Sequence, residues 1–258
     1  MDASADDILN RPQPHPDKRF AYGADPHQFI DVRLPNTKGP HRVLINIHGG
    51  FWRAKYDLVH AGHLCEALRH EGLATFNLEY RRVGNPGGGW PGTFADIRAA
   101  YRLIQQKEKH FHLNLDQLVV TGHSAGGQLA LCLAAHEPSL RRVIALAGVV
   151  DLKKAFALHL SNDAVSEFMG GAPDKVPEHY TEADPMEEQM PKATTQWLIH
   201  GTSDEIVPVQ FSRDYVTQKK AKGENVVLVE IPQAGHFDLI NPNSLAFKQV
   251  KASIFSAN

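Results

Sequence analysis

The sequence has little cysteine and no secretory leader pattern. Its 258 residues include only Cys65 and Cys132, which are too few for a disulfide framework in a chain of this length. Residues 1–20 carry acids and prolines, but neither the basic nor the apolar stretch of a signal peptide. We therefore expect a reducing, cytoplasmic location.

Long apolar runs and an excess of one charge are also missing. No stretch of 18 apolar residues is present that could span a bilayer as a helix. The 27 basic and 29 acidic residues give a net charge of −2, so no strong field attracts nucleic acid or anionic lipid. The expected partner is a small-molecule substrate, with no nucleic acid and no membrane, and a homodimer is compatible with the sequence.

Short apolar runs alternate with longer stretches of helical period. This alternation is typical of an α/β fold with a mainly parallel central sheet and helices on both faces. An early strand pair is expected at Phe29–Leu34 and Val43–His48. The rhythm is lost over about residues 151–191, which predicts a small cap-like insertion. We expect one domain, residues 1–258, that begins with an extended N-terminal arm over residues 1–20.

A G-x-S-x-G motif occurs at Gly122 to Gly126, "GHSAG". It follows a predicted strand and precedes a predicted helix, which is the context that such a motif needs to raise its serine above a sheet. A chance turn rich in glycine and serine is the alternative. Phosphate binding is not indicated, because no glycine-rich stretch ends in Gly-Lys-Ser/Thr. Ser124 is therefore the candidate nucleophile.

A serine nucleophile needs a base and an acid, which follow it in the chain in this type of fold. Asp204 in "HGTSDEIVP" and His236 in "PQAGHFDLINP" each follow a predicted strand, and the carboxyl ends of parallel strands share one edge of the sheet. The competing acids are Glu205, Asp151 and Asp238. Among the other histidines, we expect His123 to point to the far side of the turn and His48 and His200 to brace loops.

The stretch "HGGFW" at residues 48–52 places two glycines directly after a predicted strand. Attack on a carbonyl creates an oxyanion that needs two or three N–H donors. Gly50, Phe51 and Ala125 are the preferred donors, and Gly49 is a close rival. Glycines that merely turn a corner are the alternative.

Metal binding is not predicted. His60 and His63, with Asp57 one turn earlier, have the spacing of metal ligands on one helix face. No further ligand occurs in a recognisable motif, so we expect these residues to lie on a solvated face of a helix.

Together, "HGGFW", "GHSAGG", "HGTSDEIVP" and "AGHFDLI" resemble motifs of the α/β-hydrolase superfamily, and within it the branch of kynurenine formamidases (arylformamidases) and small esterases. "YGADPHQFIDVRLP" and "EYRR" are also similar to that branch. The resemblance implies a serine hydrolase without metal or organic cofactor that cleaves a formamide, with N-formylkynurenine favoured, or a short-chain ester. It also suggests Trp52 and Tyr80 as substrate contacts.

Two other hypotheses remain. The first is another hydrolase of the same fold, either a general carboxylesterase or an enzyme that acts on carbohydrate esters or peptides. The second is a non-catalytic small-molecule receptor, because some proteins of the fold that this chain resembles are receptors that lack the catalytic histidine.

Overall fold

The computed structural model describes residues 3–256. These residues form eight strands in one sheet, in the order β1-β2-β4-β3-β5-β6-β7-β8. β1 pairs with β2 and β2 with β4 in antiparallel fashion, and all other neighbours are parallel. The strands are β1 Lys18–Ala21, β2 Phe29–Arg33, β3 His41–Ile47, β4 Leu73–Leu78, β5 Leu113–His123, β6 Arg142–Leu146, β7 Thr195–Gly201 and β8 Val226–Ile231.

Helices cover both faces of the sheet. The central strands are apolar on both sides: Val43 and Ile45 belong to one buried cluster, and Leu44 between them belongs to the other. No helix within residues 3–256 is both long and apolar enough to cross a membrane. The helices are α1 Ala3–Asn10, α2 Gly62–His70, α3 Gly92–Gln106, α4 Glu108–Phe111, α5 Ala125–His136, α6 Leu152–Ala157, α7 Ala164–Met169, α8 Pro177–Ala183, α9 Gln210–Ala221 and α10 Phe247–Phe255.

The N-terminal segment is not the extended arm that the sequence suggested. It begins with helix α1, whose Ile8 is buried in an apolar cluster, and it continues into the edge strand β1. Burial of Ile8 and pairing with β2 fix both elements. Residues 1 and 2 of the predicted arm, and residues 257 and 258 of the predicted domain, lie outside the described residues.

The expected pairing of the two early strands is also wrong. β2 lies against β4, with Val32 opposite Phe76, while β3 lies between β4 and β5. Strand order depends on contacts between distant segments, and local apolar runs carry no information about it. The predicted insertion forms the short helices α6 to α8 between β6 and β7.

Candidate active site

Ser124 lies at a sharp turn between β5 and α5. Its φ of 55° and ψ of −120° put a non-glycine residue in a sparsely populated backbone conformation. The turn is tight, because a Cβ at Gly122 would lie 2.0 Å from the carbonyl oxygen of Gly126, and a Cβ at Gly126 would lie 2.1 Å from that of Ile47. These glycines let the chain pass closely enough to raise Ser124 at the carboxyl end of the sheet.

Asp204 and His236 are in direct contact. Asp204 follows β7 and His236 follows β8, and the parallel pairing of these strands brings their carboxyl ends together. Nδ1 of His236 lies 2.7 Å from Oδ2 of Asp204. A carboxylate can only accept a hydrogen bond, so Nδ1 carries the proton and donates it. This tautomer leaves Nε2 of His236 as the basic nitrogen.

The Asp204 carboxylate is buried and fully surrounded by donors. Its Oδ1 accepts from the backbone N–H groups of Ile206 and Val207, both at 2.9 Å, and His200 Nε2 lies 3.2 Å from Oδ2. Burial alone would raise the pKa of Asp204, but the hydrogen bonds from His200 and His236 outweigh it and hold the pKa below its ordinary value. Asp204 is therefore ionised at neutral pH.

Ser124 and His236 line one open cavity of about 670 Å³. The glycine loop after β3 contributes Gly50 and Phe51 to its wall. Ala125, the remaining candidate donor, follows the serine at the start of α5 and is buried. The fold thus gathers the predicted nucleophile, base, acid and donor loop at one edge of the sheet.

The glycine loop has an unusual backbone. Gly50, Phe51 and Trp52 have φ values of 111°, 47° and 56°. A Cβ at Gly49 would lie 3.0 Å from the Cβ of Ser124, which places the loop beside the serine, and a Cβ at Gly50 would lie 2.4 Å from that of Tyr56. The loop can follow this path only because glycine occupies both positions. Which of its N–H groups meet an oxyanion stays a prediction.

A buried polar network supports this loop from below. Nδ1 of His48 lies 2.7 Å from the carbonyl oxygen of Gly49, and Nε2 lies 3.1 Å from Oε1 of Glu79. Arg82 Nη1 lies 3.2 Å from the same Glu79 oxygen. Burial would raise the pKa of Glu79, but His48 and Arg82 outweigh it and lower the pKa. The "EYRR" stretch therefore holds the "HGGFW" loop, and the bracing role expected of His48 is confirmed, as it is for His200.

Trp52 and Tyr80, the two predicted substrate contacts, do not reach the cavity. Both are fully buried. Trp52 Nε1 donates to Oε1 of Gln128 at 3.0 Å, and its ring stacks on Phe168 with centroids 4.5 Å apart. The Tyr80 hydroxyl donates to the carbonyl oxygen of His48 at 2.8 Å. The expectation is corrected: both rings pack beneath the loop, where their polar atoms find partners.

His123 lies on the side of the turn that sequence analysis did not expect. Its Nε2 lies 3.0 Å from the carbonyl oxygen of His236, so Nε2 carries the proton and donates it. The two rings lie 4.4 Å apart, and His123 lines the cavity. Burial, followed by the neighbouring His236, keeps the pKa of His123 well below its ordinary value. A neutral His123 thus connects the nucleophile turn to the loop that carries the base.

His60 is a second histidine whose position differs from the prediction. It belongs to a 3-10 turn, Leu58–Ala61, that precedes α2, and it is buried at the cavity wall instead of lying on a solvated helix face. Burial, assisted by nearby His48, lowers the pKa of His60 to about 3. The prediction assumed a regular helix over this segment, on which His60 would face solvent. In the 3-10 turn His60 faces the cavity instead.

Arg53, which follows the glycine loop, ties that loop to the insertion. Arg53 donates through Nε to Glu167 at 2.7 Å, through Nη1 to Oγ of Ser161 at 3.2 Å, and through Nη2 to the carbonyl oxygen of Asn162 at 2.9 Å. Ser161 itself lines the cavity.

Among residues 3–256, no group of three or more His, Cys, Asp or Glu side chains is arranged to hold a metal ion.

Comparison with known proteins places the chain in a family. The BD-FAE family model matches residues 30–218, which is most of the chain. This chain belongs to the BD-FAE family. Solved esterases share its fold: a truncated carbohydrate esterase from gut microbiota superposes with a TM-score of 0.80 at 19% identity, covering 95% of this chain and 98% of that one. Esterase B from Lactobacillus Rhamnosis superposes with a TM-score of 0.78 at 18% identity, covering 94% and 86%. The fold is the α/β-hydrolase fold.

Curated relatives of this BD-FAE chain include esterases. The esterase LipC of Mycobacterium tuberculosis is 27% identical over 249 residues, which cover 87% of this chain and 60% of LipC. The chain thus spans about three fifths of the length of that relative. Kynurenine formamidase of Meyerozyma guilliermondii is 26% identical over 210 residues, 75% of this chain and 76% of the relative.

Proposed function

We propose that this protein is a serine carboxylesterase that acts through Ser124, His236 and Asp204. The observation that carries the proposal is the 2.7 Å contact of a buried, ionised Asp204 with His236, which lines the same cavity as Ser124. The likeness to LipC, whose name is that of an esterase, supports the ester-cleaving class.

In the proposed reaction, Oγ of Ser124 attacks the ester carbonyl while Nε2 of His236 takes its proton. A bond forms between Oγ and the acyl carbon, and the oxyanion lies against the N–H groups of Gly50, Phe51 and Ala125. The C–O bond to the alcohol then breaks, and His236 returns the proton to the leaving oxygen. Water hydrolyses the acyl-enzyme by the same steps. Asp204 holds the tautomer of His236 and stabilises its charged form.

Formamide cleavage is a second candidate. The match to a kynurenine formamidase covers about three quarters of both chains and supports it. The same residues serve either reaction, since His236 protonates an amine as it would an alcohol. LipC and the other esterase relatives favour the ester. A receptor role is disfavoured because all three positions carry competent residues, and a cytoplasmic location stays a prediction.

A parallel assay separates the candidates. We expect the purified protein to hydrolyse p-nitrophenyl acetate and butyrate faster than N-formylkynurenine, and Ser124→Ala to abolish both activities. Faster turnover of the formamide would favour the second candidate. Absence of any turnover by the unmodified protein would contradict both and favour the receptor.

A further inference from the structure

The position of His236 identifies the half of the cavity that faces the leaving group. In acyl transfer the imidazole gives its proton to the leaving oxygen, so the leaving group lies beside that ring. The walls next to His236 belong to the loops after β7 and β8, which contribute Ile206 and Phe237. The glycine loop, with Gly50 and Phe51, forms a separate part of the wall.

The N-terminal helix completes this half of the cavity. Helix α1 packs against the 3-10 turn Phe237–Leu239, which directly follows His236. Asn241 Nδ2 donates to Oδ2 of Asp7 at 2.9 Å, and Ile8 is buried, so the helix is anchored to the loop that carries the base. Its next residue, Leu9, lines the cavity.

Two large aliphatic side chains are exposed here. Leu9 is 41% exposed and Ile206 is 37% exposed, and both line the cavity. Exposed aliphatic side chains are unremarkable singly, but a pair at the mouth of a site offers apolar surface that a ligand can cover. An apolar group on the leaving alcohol would remove this surface from water.

The charges at this end of the cavity have one sign. Glu205 and Asp238 line it, and no Lys or Arg does so among residues 3–256. Asp238 Oδ2 accepts from the backbone N–H of Gly235 at 2.7 Å, whereas Glu205 is exposed and forms no ion pair with the described residues. A carboxylate on the leaving group would meet the carboxylates of Glu205 and Asp238 with no Lys or Arg in the described cavity wall.

We propose that the leaving alcohol is uncharged and carries an apolar face, as an aryl or alkyl alcohol does, that contacts Leu9 and Ile206, and that Glu205 disfavours anionic leaving groups. This inference rests on the proposed esterase function and names the substrate class of the same site. It makes helix α1 a part of the specificity pocket.

Three acetates with leaving groups of similar intrinsic reactivity test the inference: phenyl, 4-ethylphenyl and 4-(2-carboxyethyl)phenyl acetate. All form the same acetyl-enzyme, so kcat/KM reports the leaving-group contacts. We expect 4-ethylphenyl acetate to exceed phenyl acetate by about fivefold, because the two added carbons are partly covered. We expect it to exceed the carboxyethyl ester by about tenfold or more.

The variants separate the two contributions. Leu9→Ala and Ile206→Ala should each reduce the preference for ethylphenyl over phenyl to about twofold, since part of the apolar surface is removed. Glu205→Gln should reduce discrimination against the carboxyethyl ester to about threefold while leaving the ethylphenyl preference intact. Ratios within one variant are unaffected by partial loss of folded protein. Leu245→Ala, which changes an exposed leucine that is not in the cavity wall, is the matched control and should change neither ratio.

The outcomes distinguish this inference from the proposed function. Equal use of the neutral and anionic esters, or unchanged ratios in the Leu9, Ile206 and Glu205 variants, would overturn the inference while leaving the esterase intact. Failure of the unmodified protein to hydrolyse any of the acetates would instead overturn the proposed function.

Discussion

His123 shows how a single side chain can couple two loops. Its ring lies between the turn that carries Ser124 and the backbone of His236, and its Nε2 donates to the His236 carbonyl. Its Nδ1 is buried and has no hydrogen-bond partner among the described residues. A buried acceptor without a partner costs stability, and we expect His123 to offset this cost by positioning the loop that carries His236.

We predict that His123→Phe lowers kcat for p-nitrophenyl acetate by about tenfold or more, with little change in KM, because the base loses one anchor and shifts. His123→Gln, whose Nε2 can replace that of histidine, should retain activity within about threefold. Steady-state kinetics on both variants provides the measurement. Equal losses in the two variants would show that ring packing, and not the hydrogen bond, is what matters.

Asp184, in the insertion, is an acidic residue whose ionisation should make stability depend on pH. It is fully buried, and burial raises its pKa to about 7 against the hydrogen bonds from the backbone N–H groups of Lys153 and Met186. The folded state therefore keeps the proton that the unfolded state, with its ordinary pKa of 3.8, releases. Its contribution to the free energy of unfolding is complete below pH about 4 and is lost as pH rises to about 7.

We predict that the unmodified protein loses stability relative to Asp184→Asn between pH 4.5 and 8, by on the order of 4 kcal/mol at most. Guanidinium unfolding of both proteins at several pH values measures the difference, in which the titration of all other groups cancels. Asp174→Asn, at an exposed aspartate, is the control and should show no such change. A pH-independent difference for Asp184→Asn would contradict the raised pKa.

At the scale of elements, we expect the backbone of the loop after β3 to affect activity through its glycines. Gly50 combines a φ of 111° with a position where any Cβ would meet Tyr56. Gly223 has a similar φ of 77°, but a Cβ there would meet nothing within 4 Å. Both glycines therefore have a positive φ that an L side chain rarely adopts, and they differ in their surroundings.

We predict that Gly50→Ala lowers kcat by about 100-fold, as loss of an oxyanion donor does, because the loop must move to accommodate the methyl group. Gly223→Ala also puts a side chain at a positive φ, at a cost of about 1 kcal/mol, but Gly223 does not line the cavity, so kcat should be unchanged. Measuring kcat together with the unfolding midpoint separates the two effects. Full activity in Gly50→Ala would remove Gly50 and its neighbours from the oxyanion site.

Strands and helices could be predicted from the sequence where the local hydrophobic pattern determines them. The apolar runs of β3 to β8 and the strand-turn-helix at Ser124 are visible in the sequence because a buried parallel sheet requires them. Strand β1, helix α1 and the neighbours of β2 were not, since pairing and docking of distant segments fix them. The positions of His60 and His123 depend on a 3-10 turn and on a sharp backbone turn, which residue spacing does not reveal.

At the scale of the whole molecule, the parallel sheet brings residues that are distant in the sequence together in one site. Ser124, Asp204 and His236 lie on three loops that follow β5, β7 and β8, and the parallel strands deliver all three to the same edge. The insertion, through Ser161, and the N-terminal helix, through Leu9, then narrow the cavity from outside the sheet. We therefore expect variation in these two segments to change substrate preference while the triad geometry is kept.

The most direct test of the proposed triad is the rate at which a fluorophosphonate modifies the protein, with the modified residue located by mass spectrometry. We expect a single adduct on Ser124, none in Ser124→Ala, and a rate at least about 1000-fold lower in His236→Ala, because the base that activates the hydroxyl is gone. An adduct on another residue, or the same rate with and without His236, would rule out the triad.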